Sequence, residues 1–179
     1  MLAIIGTVGV PACYGGFETL VDNLLDERDK KNVTVYCSSK SYSKRLTCYK
    51  NARLVYIPLN ANGASSIIYD IVSMIHAIFL RPKAILILGV SGCIFLPIFA
   101  FFSNAKIITN IDGLEWKRDK WSGIAKGFLK FSEKIAVRYS DVVVADNEGI
   151  AEHVNDTYSI TANVIAYGGD HAITDSLKV

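Results

Sequence analysis

The chain has 179 residues, 51% of them hydrophobic, which suits one substantial core and excludes an intrinsically disordered protein. Lys and Arg number 19 against 17 Asp and Glu, and the resulting net charge of +2 carries no nucleic-acid signature. Cys13, Cys37, Cys48 and Cys93 are scattered without a C-x-x-C pair, which argues for reduced thiols in a cytosolic setting and against a zinc site or a disulfide frame. The N-terminus reads without the basic region and cleavage site of a signal peptide.

Along the chain, apolar, β-branched runs at 2–6, 33–37, 53–58, 84–88, 106–110, 142–145 and 163–166 read as strands. Helical stretches at 17–29, 65–80, 92–102, 121–139 and 148–156 lie between most of them. The interval 38–52 is polar and irregular, either a long loop or a short helix. Such alternation predicts an α/β fold, a doubly wound parallel sheet of Rossmann-like type with about seven strands. The apolar stretch 67–111 is interrupted at Arg81-Pro82-Lys83, at Gly89 to Gly92 and at Ser103-Asn104. Its pieces of roughly 6–16 residues fall short of the ~20 that a membrane-spanning helix needs.

On the helix at 121–139, Trp121, Ile124, Ala125, Phe128, Leu129, Ile135, Ala136 and Tyr139 fall on one face by periodicity. Lys126, Lys130, Lys134 and Arg138 follow one another at i, i+4 on the opposite face. That stripe reads either as a solvated outer face or as a contact with anionic lipid headgroups.

Connections entering the predicted strands are ordinary, whereas those leaving them concentrate glycines and acids: "GTVGVPACYGG", "GVSG" from Gly89 to Gly92, "NIDGLEW", "ADNEG" and "YGGD". In open α/β sheets ligands bind at the carboxyl ends of strands, so this edge is expected to carry a cleft. The first loop lacks the G-x-G-x-x-G spacing of a dinucleotide site and the G-K-[ST] of a Walker A loop. Gly15-Gly16 leads into a helix N-terminus, either a tight turn with a glycine cap or a place where an anion reaches bare backbone N–H groups. Glu18, in the first helical turn, serves the helix dipole or caps the helix. Asp112, next to Gly113, is either a turn residue or a carboxylate aimed into the cleft. His76 lies in an apolar helix and reads as structural, and His153 and His171 have no ligand-like spacing, so no metal is expected.

The segments "IIGTVGVPACYGGFETLVDNL", "VTVYC", "IDGLEWKRDKWS" and "VVADNEGIAEH" resemble the N-terminal half of bacterial rhamnosyltransferases, retaining glycosyltransferases with the two-domain GT-B fold. The resemblance implies that residues 1–166 form the acceptor-side domain and that 167–179 begin a linker to an absent C-terminal donor domain. The fragment alone is therefore expected to be inactive. It also implies that Gly15, Gly16 and Glu18 face the donor's diphosphate and that Asp112 lies near the anomeric centre. Tyr14, Gly89, Gly92, Glu115, Trp116, Lys117, Arg118 and Asn147 would line the acceptor side or the cleft.

The implied reaction transfers L-rhamnose from dTDP-L-rhamnose to a polyprenyl-linked saccharide, with retention, without metal, cofactor or nucleic acid. The implied location is cytoplasmic, peripheral at the inner face of the plasma membrane, with Lys126, Lys130, Lys134 and Arg138 facing anionic lipid. Val8 and Cys13 stand where relatives carry Arg, Asn147 where Ser is common and Gly169 where Ala is usual. Two other readings compete: a different nucleotide-sugar enzyme, disfavoured by the missing dinucleotide fingerprint, and a non-catalytic saccharide-binding module.

Overall fold

The computed structural model describes residues 1–27, 32–117 and 122–166. Arg118, Trp121, Gly169, His171 and the expected linker 167–179 lie outside the described residues, as does the end of the helix predicted at 17–29. The elements run β1 (Leu2–Ile5), α1 (Gly16–Glu27), β2 (Val33–Ser38), β3 (Cys48–Tyr49), β4 (Ala52–Ile57), α2 (Ser65–Leu80), β5 (Ala84–Leu88), α3 (Leu96–Phe102), β6 (Lys106–Ile111), α4 (Gly123–Tyr139), β7 (Val142–Ala145), α5 (Glu148–Tyr158) and β8 (Asn163–Val164).

The strands form one eight-stranded sheet in the order β3-β4-β2-β1-β5-β6-β7-β8. Every pairing is parallel except β3 with β4. From β1 the chain moves outward through β2 to β4, then crosses back to β5 and moves outward the other way. The order therefore reverses between β1 and β5, and the carboxyl ends of these two strands flank the crevice where such sheets take ligands.

The alternation of side chains along each strand supplies both faces of the sheet. Ala3, Ile5, Tyr36, Ile85 and Ile87 pack with Tyr69 and Met74 of α2, Leu96 and Phe99 of α3, Ala136 of α4 and Val154 of α5. Ile4, Val35 and Cys37 pack instead with Val21 and Leu25 of α1. Each large apolar side chain so buried contributes about 1.5–3 kcal/mol, and a strand covered on both faces needs no polar face.

Four sequence expectations are corrected. The interval 38–52 contains β3, whose Cys48 and Tyr49 pair with Arg53 and Ala52 across a two-residue turn. Lys50 and Asn51 both adopt left-handed backbone, φ 44° and 62°, the geometry that matches the twist of a tight hairpin. Lys50 is held there by ion pairs to Asp22 and Asp26 of α1, at 2.6 and 2.5 Å.

The helix expected at 92–102 begins as a 3-10 turn, Cys93–Phe95, and becomes α-helical only at Leu96, with Pro97 in its first turn. The strand expected at 163–166 is shortened to Asn163–Val164 at the sheet edge. On α4 the buried positions are Leu129, Ser132, Glu133, Ala136 and Val137. Ile124 is 90% exposed and Tyr139 39%, so the apolar face read from the sequence is rotated relative to the true one. The i, i+3, i+4, i+7, i+8 spacing of the buried set is helical, but two of its members are polar. Ser132 is accommodated because its hydroxyl donates to the Val90 carbonyl at 2.6 Å and accepts from the Ile94 amide at 3.1 Å. Among the described residues no helix is long and apolar enough to cross a membrane.

Candidate active site

The loop between β1 and α1 is fixed from within. Glu18 is 3% exposed, and its carboxylate accepts from Thr7 Oγ1 at 2.8 Å, the Val8 amide at 2.7 Å and the Gly15 amide at 2.8 Å. Glu18 thus ties the end of β1 to the start of α1, and the bond back to Gly15 is the reciprocal half of a capping box. The Gly15 amide is therefore already engaged by the protein. Tyr42 holds the loop's far side by donating to the Pro11 carbonyl at 2.9 Å, and Tyr69 of α2 donates to the Thr7 carbonyl at 3.0 Å.

The loop's glycines have different causes. A Cβ on Gly6 would lie 2.2 Å from the Leu88 carbonyl oxygen, and one on Gly9 2.7 Å from Cys37 Sγ. Both also hold positive φ, 95° and 134°, so strand packing and backbone geometry demand glycine at each. At Gly16 a Cβ would meet nothing within 4 Å and φ is not positive. The fold alone leaves that glycine unexplained.

Across the switch point lies a cleft of about 870 Å³. Its walls are the start of α1 (Tyr14, Gly15, Gly16, Phe17, Glu18), the end of β5 (Gly89, Val90, Ser91), the start of α2 (Ser66, Ile67, Asp70), Asp112 and Glu115 after β6, and Ile124, Ala125, Phe128 and Leu129 of α4. The exposed Ile124 is thus a wall of the cleft. Glu18, Asp70, Asp112 and Glu115 supply acid, and no Lys, Arg or His lines the cleft among the described residues. No group of three His, Cys, Asp or Glu side chains able to hold a metal occurs among them either.

Tyr14, Gly15, Gly16, Glu18, Gly89, Asp112 and Glu115 meet in this cleft, whereas Gly92, Trp116, Lys117 and Asn147 are not among the residues lining it. Gly92 backs onto Asp70, where a Cβ would come within 2.2 Å of the Asp70 Cβ. Asn147 caps α5, its side chain accepting from the Ile150 amide at 3.1 Å. Trp116 sits in a 3-10 turn, Glu115–Lys117, and its indole N–H donates to Glu133 Oε2 at 2.9 Å. The ammonium groups of Lys117 and Lys130 lie 5.3 and 5.1 Å from its ring, in cation–π range. Lys130, Lys134 and Arg138 are exposed and Lys126 partly so.

Asp70 is a site residue that the sequence reading missed. It is 2% exposed. Its Oδ2 accepts the Ser91 hydroxyl at 2.6 Å, while Oδ1 finds no partner among the described residues. Burial pushes its carboxyl up to about 7, only partly offset by hydrogen bonds from Ser91 and the Gly92 amide. A lone acid within "SSIIYDIVSMIHAIFL" was the available signal.

An open, mostly parallel sheet with a crevice at its switch point defines a Rossmann-like domain. Its structural neighbours are glycosyltransferases of GT-B type. Sucrose-phosphate synthase from Thermosynechococcus elongatus superposes with a TM-score of 0.68 at 13% identity, over 93% of this chain and 48% of that one. Arabidopsis thaliana UGT89C1, complexed with UDP-L-rhamnose, gives 0.56 at 13% identity, over 94% and 51%. The chain spans about half the length of each. The family described as domain of unknown function DUF1972 matches residues 1–170, and the chain belongs to that family. No curated protein matches its sequence.

Proposed function

We propose that this chain is the acceptor-side half of a glycosyltransferase and that sugar transfer takes place over the cleft at its switch point. The observation that carries the reading is the convergence, in one crevice on a GT-B-type fold, of the Gly15-Gly16 helix start with the acids Asp112 and Glu115. An oxocarbenium-like sugar developing there gains from a nearby carboxylate, and Asp112 is the residue assigned to stabilise it or to orient the acceptor hydroxyl. Carboxylates also accept hydrogen bonds from hydroxyls, so the acid-lined wall suits a saccharide better than a phosphate. The donor's diphosphate is assigned to the α1 N-terminus, where Gly16 lets the backbone come close and the helix dipole favours negative charge. The remaining countercharge must come from beyond the described residues of the cleft wall.

The motif resemblance supports the finer reading: L-rhamnose moved from dTDP-L-rhamnose to a polyprenyl-linked saccharide, with retention, alongside a C-terminal donor domain. A lipid-linked acceptor gives the Lys126, Lys130, Lys134 and Arg138 stripe a place against an anionic membrane at its cytoplasmic face.

The test is a transfer assay on the natural full-length polypeptide with dTDP-L-rhamnose, other dTDP- and UDP-sugars, and a polyprenyl-diphosphate saccharide. Transfer that falls at least 100-fold in Asp112→Asn supports the reading. Consumption of no nucleotide sugar at all overturns it, and transfer of a sugar other than rhamnose overturns only its donor assignment.

A further inference from the structure

The acids Asp112 and Glu115 and the indole of Trp116 are close in sequence but point to different places. The two acids line the cleft, while Trp116 is not among its lining residues and reaches a side chain of α4. That side chain is Glu133, 0% exposed. Its Oε2 accepts the Trp116 indole N–H at 2.9 Å. Its Oε1 accepts the Tyr158 hydroxyl at 2.8 Å and meets His153 Nε2 at 2.9 Å, both from α5. His153 in turn lies 5.9 Å from the Trp116 ring, centroid to centroid, and 6.1 Å from that of Tyr158.

A buried carboxylate is costly unless its lone pairs are filled, and here donors from two separate elements fill them. Glu133 stands one helical turn beyond Leu129, which is itself a wall of the cleft. The same helix therefore shapes one wall and grips the loop that supplies the acids of another. Within the loop, the Glu115 amide donates to the Gly113 carbonyl at 3.0 Å and the Lys117 amide to the Leu114 carbonyl at 2.8 Å, and from α4 the Lys130 ammonium adds a cation–π contact to the same Trp116 ring.

We propose that Glu133 is a positioning residue: by anchoring Trp116, with His153 and Tyr158 fixing its own orientation, it sets where Asp112 and Glu115 stand in the cleft. This rests on reading the cleft as the transfer site. A well-packed buried network holds its members to one geometry and transmits its loss to whatever it supports.

Two variants test it. Trp116→Phe removes only the indole N–H and ring edge, and Glu133→Gln keeps the shape while losing the charge. Hydrogen exchange, which needs no substrate, should show the Glu115 and Lys117 amides exchanging at least tenfold faster in both variants, with the amides of β6 and β7 unchanged. In the full-length transfer assay, kcat should fall at least tenfold while KM for the nucleotide sugar stays within twofold. Unchanged exchange at Glu115 and Lys117 in Trp116→Phe overturns the anchoring. Faster exchange with unchanged kcat reduces Glu133 to a structural residue and overturns the positioning. If the unaltered protein transfers no sugar, the transferase reading fails by itself, and the exchange data alone decide whether Glu133 anchors the acidic wall.

Discussion

Gly6 and Leu88 touch backbone to backbone across the switch point, so closely that a Cβ on Gly6 would lie 2.2 Å from the Leu88 carbonyl oxygen. The contact joins the carboxyl ends of β1 and β5, which pair in parallel from Leu2 with Ala84 to Ile5 with Ile87. The obstacle is backbone rather than a flexible side chain, and Gly6 also holds φ +95°. Gly6→Ala is therefore expected to destabilise the fold by roughly 3 kcal/mol or more, from left-handed strain together with separation of the central strands. Denaturant unfolding checks this, and a loss below 1 kcal/mol would show that the floor of the crevice gives way easily.

Gly16 makes the opposite case. Its Cβ position is open and its φ lies outside the left-handed region, so the folded protein gains nothing from glycine there. Alanine also gives up less backbone entropy than glycine at the start of a helix. Gly16→Ala is expected to leave stability unchanged or raise it by up to about 1 kcal/mol, while, on the transferase reading proposed above, transfer by the full-length protein falls at least tenfold because a methyl group blocks the donor's approach. Full activity in a folded Gly16→Ala protein would remove the diphosphate from the α1 N-terminus.

How much of this was legible follows from how each residue is used. The central strands could be read because a parallel sheet covered on both faces is uniformly apolar, and "AILIL" of β5 needs no polar face. The hairpin of β3 could not, because its turn is Lys50-Asn51 and only Asn is a common left-handed residue. On α4, periodicity equates buried with apolar, so it leaves Ser132 and Glu133, both 0% exposed, off the inward face and puts the cleft-lining Ile124 on it. The edge where glycines and acids gather is visible once the strands are placed, because the loops that leave them carry those residues. Which of them face the crevice was not, since adjacent residues such as Glu115 and Trp116 diverge in a 3-10 turn and their partners are distant in sequence. Asp70 was hidden by the apolar helix around it, although a charge in such a helix has to be neutralised or bonded once buried.

The basic stripe of α4 carries its own expectation. Lys130, Lys134 and Arg138 are exposed, and basic groups near an anionic surface contribute about 1 kcal/mol each. Replacing Lys126, Lys134 and Arg138 by Gln spares Lys130, which lies against Trp116. The triple variant is expected to bind vesicles containing phosphatidylglycerol at least tenfold more weakly in sedimentation assays. The binding of the unaltered protein should fade as salt rises, because screening shortens the reach of surface charge to about 8 Å at physiological ionic strength. Salt-insensitive binding, or an unchanged triple variant, would make the stripe a solvated outer face.

Asp70 gives the protein a pH dependence opposite in sign to that of a salt-bridged carboxylate. Its carboxyl is raised from 3.8 to about 7 by burial, with Oδ1 unpartnered among the described residues. Between those two values the folded state holds a proton that the unfolded state has already lost. Stability contributed by this group is thus present in full below about pH 4, falls as pH rises through the folded value, and levels off above it. From pH 5 to pH 8 the loss is on the order of 2–3 kcal/mol. Asp70→Asn keeps an acceptor for the Ser91 hydroxyl and has no charge to bury, so this component should disappear. Urea unfolding of both proteins at pH 5 and pH 8 isolates it, because the other titrating groups are common to both and cancel in the difference. The unaltered protein should lose more stability than Asp70→Asn over that interval. Parallel losses would mean that Asp70 ionises normally in the folded state, which requires a water or ligand reaching Oδ1 from the cleft.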